Sequence, residues 1–183
     1  MNSGQIQLII GPMFCGKSTE LIRRIKRYSH AGKTSIVFKY TKDCRYESQE
    51  NAEIRHVMTH DGISTPAHPC TKLSDVDNLI KNYDIIGIDE GQFMPDIADY
   101  VEKWANIGKI IIVAALDGDF RRNSFGNIHQ LVPLAEDVIK LKAICHYCKM
   151  DAAFSKRTVK SEEIELIGGE EAYVAACRKC HGL

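Results

Sequence analysis

A charge imbalance is the first thing this sequence lacks: 24 lysines and arginines stand against 24 aspartates and glutamates. A balance of that kind leaves no basic footprint for a nucleic-acid backbone or an anionic membrane surface. Long apolar stretches are missing too. The longest, Ile110 to Leu116, falls far short of the roughly 20 residues a membrane-spanning helix needs. The N-terminus has neither the basic start and apolar stretch of a signal peptide nor the character of a transit peptide, so a cytoplasmic location is the expectation. An even set of cysteines is also absent. There are seven, of which four fall in two Cys-x-x-Cys pairs and three are scattered. In a reducing compartment that pattern reads as metal binding and not as a disulfide framework.

What remains is an ordinary globular composition, 44% hydrophobic and 26% charged over 183 residues. It corresponds to one domain, or one domain with a small appendage, and is long enough to bury a core without staples.

The stretch Gly11-Pro12-Met13-Phe14-Cys15-Gly16-Lys17-Ser18-Thr19 organises the chain. Glycine, four residues, then Gly-Lys-Ser is the pattern of a phosphate-binding loop. A glycine-rich turn before an ordinary helix is the plainer alternative, and context weighs against it. The apolar run Ile6 to Ile10 reads as a buried strand leading in, and Ser18 to Tyr28 as a helix leading out. The free N–H groups of that helix then face whatever the loop holds. Gly11 and Gly16 let the backbone curl, Lys17 supplies a mobile positive charge for the outer phosphates, and Ser18 offers a hydroxyl to Mg²⁺. Along the helix, Leu21, Ile22, Ile25 and Tyr28 recur on one face, and Arg23, Arg24, Lys26 and Arg27 form a basic face read as solvated.

Thr34 to Tyr40 reads as a second strand, followed by a polar loop, 41–51, at the edge where open α/β sheets bind ligands. Asp43 and Arg45 lie in that loop; taken alone they read as a surface salt bridge. Ile54 to His60 is a weak strand candidate and Lys72 to Lys81 a short amphipathic helix. The second informative stretch is Tyr83 to Glu90, an apolar strand ending in two carboxylates. In phosphate-loop proteins such a strand ends in an aspartate that holds Mg²⁺, so Asp89 fits the metal role and Glu90 that of a general base. Ile97 to Ile107 follows as a helix, Ile110 to Leu116 as a fully buried strand, and Val138 to Ile144 as the last strand. Strands alternating with helices imply an α/β fold with a parallel sheet and right-handed crossovers.

The tail changes character. Cys145-His146-Tyr147-Cys148 and Cys177-Arg178-Lys179-Cys180 are two pincers about 28 residues apart. Two such turns complete a closed four-sulfur site for a structural Zn²⁺. His146 or His181 replacing a thiolate is a minor alternative, and so is a redox role for either pair. Between the pincers, Ser155 to Glu163 reads as a polar loop, Ile164 to Gly169 as a short strand and Glu170 to Ala176 as a helix. The expected division is a nucleotide-binding domain, 1–142, and a zinc-binding domain, 143–183, whose pinned loop can fold over a ligand.

Four motifs in this order carry a family resemblance: Gly-Pro-Met-Phe-x-Gly-Lys-Ser-Thr at 11–19, Asp-Glu-Gly-Gln-Phe at 89–93, Ala-Leu-Asp-Gly-x-Phe at 115–120, and Glu-x-Ile-Gly-Gly with a following Tyr and Cys-Arg-x-Cys at 165–180. The chain resembles the zinc-containing thymidine kinases, in particular their short poxvirus form. The resemblance implies a RecA-like phosphate-loop NTPase sheet flanked by helices, with a small C-terminal zinc-ribbon and lasso domain. It implies transfer of the γ-phosphate of ATP to the 5′-hydroxyl of thymidine. ATP and Mg²⁺ would lie against Gly11, Pro12, Met13, Phe14, Cys15, Gly16, Lys17 and Ser18, with Asp89 and Asp43 ordering the metal's waters and Arg45 approaching the phosphates. Glu90 matches the general base. Met13, Phe93, Leu116, Phe120, Phe125 and Tyr173 match residues around base and sugar, and Ile164, Glu165, Leu166, Ile167 and Gly168 the loop whose backbone reads the thymine edge. Cys145, Cys148, Cys177 and Cys180 match the structural zinc ligands. A homotetramer and feedback inhibition by dTTP are implied by the resemblance alone. Cys15 departs from the family, which usually has serine there; that position works through its backbone N–H, so phosphate binding is expected to survive. Two competing classes stay in view. A motor or switch ATPase or GTPase is one, although a guanine-reading Asn-Lys-x-Asp is missing. A zinc-ribbon nucleic-acid module is the other, opposed by the zero net charge.

Overall fold

The computed structural model describes residues 3–42, 55–58, 64–161, 163–166 and 168–182. Its centre is a seven-stranded sheet built from β1 (Gln5–Ile10), β2 (Ser35–Tyr40), β3 (Arg55–Met58), β4 (Ser64–Cys70), β5 (Ile85–Asp89), β6 (Ile110–Ala115) and β7 (Asp137–Lys140). The strand order is β3-β4-β2-β5-β6-β1-β7. All neighbours run parallel except β3, which is antiparallel to β4 at the edge.

A parallel sheet must be covered on both faces, and its central strands read accordingly as continuous apolar runs. α1 (Lys17–His30) lays Leu21, Ile22 and Ile25 on one face, against Ile9, Val37, Ile85, Ile112 and Ala114. The fit is close: a Cβ on Gly87 would stand 2.7 Å from Ile25 Cδ1. α2 (Ile97–Asn106) covers the other face with Ile97, Val101 and the fully buried Trp104. Trp104 donates its Nε1 hydrogen to Asp77 at 2.7 Å, so the largest side chain of that core keeps no unsatisfied polar group.

Beyond β7 the chain leaves the sheet for two small antiparallel ribbons. β8 (Ala143–Ile144) pairs with β9 (Asp151–Ala152), and β10 (Phe154–Arg157) with β11 (Tyr173–Ala176); the short α3 (Arg178–His181) follows.

Several expectations need correction. β4 was not expected, because Pro66 and Pro69 argue against a strand. The sheet accommodates them near its edge, where β4 matches β2 only from Phe38 to Tyr40. Lys72 to Lys81 is not one helix but two 3₁₀ turns, Leu73–Val76 and Leu79–Asn82. Its groups are tied elsewhere: the Leu73 and Ser74 amides donate to Asp96 at 3.0 and 2.9 Å, and Asp77 accepts from Trp104 and Lys103. The expected last strand is broken, since the chain turns away after Leu141 donates to Ile10 at 2.8 Å. Residues 154–157 form a strand and not a loop, and residues 163–166 form none. The helix expected over Glu170 to Ala176 is replaced by β11, because pairing with β10 overrides the helix propensity of its alanines.

The basic face of α1 also differs from expectation. Arg23, Lys26 and Arg27 are exposed, but Arg24 is 8% exposed. Its guanidinium donates to Glu20 at 2.8 Å, Gln7 at 2.9 Å and Asp137 at 2.5 Å, tying α1 to β1 and β7. Removing it strands the buried Gln7 amide oxygen. Arg24→Met is expected to cost about 1–3 kcal/mol and to lower Tm by about 2–8 °C in thermal unfolding, whereas Arg27→Met leaves Tm within about 1 °C. Equal effects would show that the Arg24 network contributes nothing.

Candidate active site

The C-terminal ends of β1, β5 and β6 meet at one edge of the sheet. β1 delivers the chain to Gly11, whose φ of 147° and crowding admit no side chain: a Cβ there would lie 2.6 Å from the carbonyl oxygen of Leu141. The loop turns again at Gly16, with φ 82°, and α1 begins at Lys17. The first-turn N–H groups of a 14-residue helix therefore open into the loop. Lys17 folds its ammonium back over the loop to the carbonyl of Pro12 at 2.7 Å. Ser18 donates its hydroxyl to Asp89, with 3.1 and 3.2 Å to the two carboxylate oxygens. A hydroxyl and a buried carboxylate side by side beneath a lysine are a donor set suited to Mg²⁺ on a polyphosphate.

Glu90 follows Asp89 in the left-handed region, at φ 56° and ψ 40°. That strained turn aims its carboxylate into the same cleft instead of back along the sheet. Gln92 holds it there. Its amide nitrogen donates to Glu90 at 2.6 Å, and its amide oxygen accepts the Leu116 N–H at 2.9 Å. Gln92 is 4% exposed, so the carboxylate is tied through a buried side chain to the end of β6. Its signal was present in Asp-Glu-Gly-Gln-Phe, where it was read only as part of a motif.

These groups line one cleft. Met13, Phe14, Gly16, Lys17, Ser18, Asp89 and Glu90 form its polar end. Phe93, Leu116, Phe120, Phe125, Ile164, Leu166, Gly168 and Tyr173 also line it. Phe93 stacks on Tyr40 at 4.7 Å and meets Phe125 edge-on at 5.3 Å, which fixes an aromatic wall. Of the residues singled out in the sequence, Gly11, Pro12 and Cys15 are not among those lining the cleft. Glu165 also stays outside it, its carboxylate accepting from Tyr40 at 2.9 Å and Lys42 at 3.3 Å. Asp43, Arg45 and Ile167 lie outside the described residues. Sequence reasoning missed Lys39, a buried cation on β2 that lines the cleft, and Ser155, whose hydroxyl accepts the Met13 N–H at 2.9 Å. Neither had a local signal: one sits in an apolar strand and the other in a stretch read as loop.

Cys15 packs against the C-terminal ribbons near Lys17. Burial pushes its thiol up and outweighs the lysine, so it rests as a thiol and not as a reactive thiolate.

The sulfur atoms of Cys145, Cys148, Cys177 and Cys180 all lie within 4.8 Å of one another, and those of Cys148 and Cys177 are 3.6 Å apart. Zinc–sulfur bonds of about 2.3 Å require sulfurs about 3.8 Å apart in a tetrahedron, so this donor set fits zinc. The Cys148 amide, first among several main-chain donors, holds the Cys145 thiol down at about 6, toward the thiolate a metal requires. Neither histidine joins the cluster. His146 is exposed against Tyr147, and His181 is buried with Nε2 at 3.3 Å from the Ser155 carbonyl.

A phosphate loop at the C-terminal edge of a mostly parallel, helix-flanked sheet defines a phosphate-loop nucleotide-binding protein. Comparison with known proteins narrows this. The family model for thymidine kinase matches residues 4–181. Among curated proteins, the thymidine kinase of Sheeppox virus is 55% identical over all of this chain and 99% of its own length. That of Myxoma virus is 52% identical over 99% of this chain and 98% of its own. Thymidine kinase 1 of Dictyostelium discoideum is 51% identical over 98% of this chain and 78% of its own. The chain belongs to the thymidine kinase family.

Elemental analysis of the purified chain is expected to find about one zinc per chain, and stripping it with a chelator to lower Tm. A metal-free preparation with unchanged Tm would show that the four cysteines hold no structural ion.

Proposed function

We propose that this chain transfers the γ-phosphate of ATP to the 5′-hydroxyl of thymidine. The observation that carries the reading is the cleft itself, in which a phosphate loop and a fixed carboxylate face one space walled by aromatic rings. Phosphoryl transfer asks a protein for positioning and charge stabilisation more than for covalent chemistry. Loop amides from Gly11 to Ser18 and the Lys17 ammonium take the phosphates of ATP. Ser18, with Asp89 hydrogen-bonded to it, would hold Mg²⁺, which when bound neutralises charge on the transferred group. By the family resemblance, Asp43 would order the metal's waters and Arg45 would approach the phosphates; both lie outside the described residues. Glu90, restrained by Gln92, takes the proton of the 5′-hydroxyl as the oxygen attacks.

Phe93, Phe120, Phe125 and Tyr173 hold base and sugar, with Met13 and Leu116 around the 5-methyl group. Main-chain groups of residues 164–168 read the pyrimidine edge. A backbone N–H facing O4 of thymine would face the amino group of cytosine, donor against donor, a costly mismatch in a dry site. Zinc serves the C-terminal ribbons structurally, in a division of the chain at about residue 142. A homotetramer, inhibition by dTTP and work in the cytoplasm complete the proposal. Among the described residues no helix is long and apolar enough to cross a membrane.

Turnover of ATP should depend on thymidine, with deoxycytidine a poor acceptor; hydrolysis at the same rate without any nucleoside would favour a motor or switch ATPase instead. Glu90→Gln is expected to lower kcat by about 10²–10⁴-fold while the KM values for ATP and thymidine stay within about threefold. Unchanged kcat would remove Glu90 as the base. Gln92→Leu should lower kcat by about tenfold through a freed Glu90, and a kcat equal to that of the unsubstituted chain would dismiss the restraint.

A further inference from the structure

We propose that Arg157 is a positioning residue that shapes the main chain covering the nucleoside end of the cleft. Arg157 closes β10, and the chain that follows, through 161 and 163–166, takes no regular secondary structure among its described residues. Its carbonyl groups therefore find no partners in a helix or a ladder. The Arg157 guanidinium collects them: it donates to Ser161 O at 3.0 Å, to Glu163 O, and to Ile164 O at 3.2 Å. It also donates to the Tyr173 hydroxyl at 2.6 Å, and that hydroxyl donates onward to Leu166 O at 2.9 Å. One planar fork thus holds, directly or through one tyrosine, the carbonyls of residues 161, 163, 164 and 166.

The guanidinium is itself fixed. Its central carbon lies 3.8 Å from the centre of the Phe120 ring and 5.1 Å from that of Tyr173. Its Nε is buried with no acceptor among the described residues. An arginine held between rings, with both terminal nitrogens engaged by carbonyls and a hydroxyl, is a rigid template and not a solvated charge. At the far side of the same segment, Glu165 is tied to Tyr40 and Lys42 at the end of β2. The segment is therefore anchored on both flanks, and Ile164, Leu166 and Gly168 present themselves to the cleft as a result. Phe120 and Tyr173 belong to both the clamp and the cleft wall, so the clamp and the nucleoside pocket share their surfaces. The Arg157 hydrogen bonds run to residues 161, 163 and 164 and to Tyr173 and not to the phosphate loop, so its effect is expected on the nucleoside and not on ATP.

The inference rests on the thymidine kinase reading of the cleft, and two measurements keep the two apart. In steady-state kinetics, Arg157→Met should raise the KM for thymidine about tenfold or more, while the KM for ATP stays within about twofold. In amide hydrogen exchange on the chain without substrates, residues 161–169 should exchange faster in Arg157→Met, with the central sheet unchanged. Arg157→Lys keeps the charge but loses the fork, so it should recover only part of both effects; it also carries the test should Arg157→Met fail to fold. Unchanged exchange over 161–169, equal rises in both KM values, or full rescue by lysine would overturn the clamp. Absence of thymidine phosphorylation by the unsubstituted chain would instead overturn the thymidine kinase reading, and the exchange result would still decide the clamp.

Discussion

The hydrogen bond from Ser18 to Asp89 joins the first residues of α1 to the last residue of β5. Everything chemical in this chain depends on that junction. It brings the phosphate loop, which β1 positions, next to the carboxylates, which β5 positions, although Ser18 and Asp89 are 71 residues apart in sequence. The parallel sheet makes it possible. β5 and β1 both flank β6, all three running the same way, so their C-terminal ends converge on one edge. A twisted parallel sheet covered by helices on both faces leaves that edge as the place where loops can hold a ligand.

Around the junction, the cleft's polar groups are each tied to a neighbour. Glu90 sits in a left-handed turn and is held by Gln92, which in turn grips the end of β6. Lys17 lies back on Pro12, leaving it free to swing to a phosphate that competes for it. Met13 is fixed to Ser155, so the phosphate loop leans on the C-terminal ribbons. Phe14 and Cys15 extend that contact onto the small cluster around Ala143, Cys145, Ala152 and Ala175. The four-cysteine site thus lies behind the phosphate loop. The segment has few large apolar residues of its own, and an ion on the four cysteines that could hold one would add to its order.

Much of this was legible in the residues. Gly11 to Ser18 announce themselves because a loop that wraps phosphate needs glycine at fixed places. Acidic residues commonly follow a strand; Asp89 and Glu90 stand out because the same chain carries a phosphate loop upstream. The cysteine pairs are visible because tetrahedral sulfur ligation imposes a spacing. The hidden parts are those set by tertiary contacts. Pro66 and Pro69 disguised β4, and the alanines of β11 disguised a strand as a helix. Arg24 looked like one more surface cation, and only the meeting of α1 with β1 and β7 makes it a buried tie. Gln92, Lys39 and Ser155 act through partners far along the chain, which no local pattern records.

The account's central claim is spatial: one cleft holds both the phosphate donor and the acceptor alcohol, with Glu90 between them. A crystal structure of the chain with thymidine and a non-hydrolysable ATP analogue tests it most directly. The account predicts the terminal phosphate against Lys17 and Ser18, and the 5′-oxygen within hydrogen-bond reach of the Glu90 carboxylate, about 2.6–3.2 Å. A nucleoside seated elsewhere, or a 5′-oxygen turned away from residue 90 toward solvent, would contradict it.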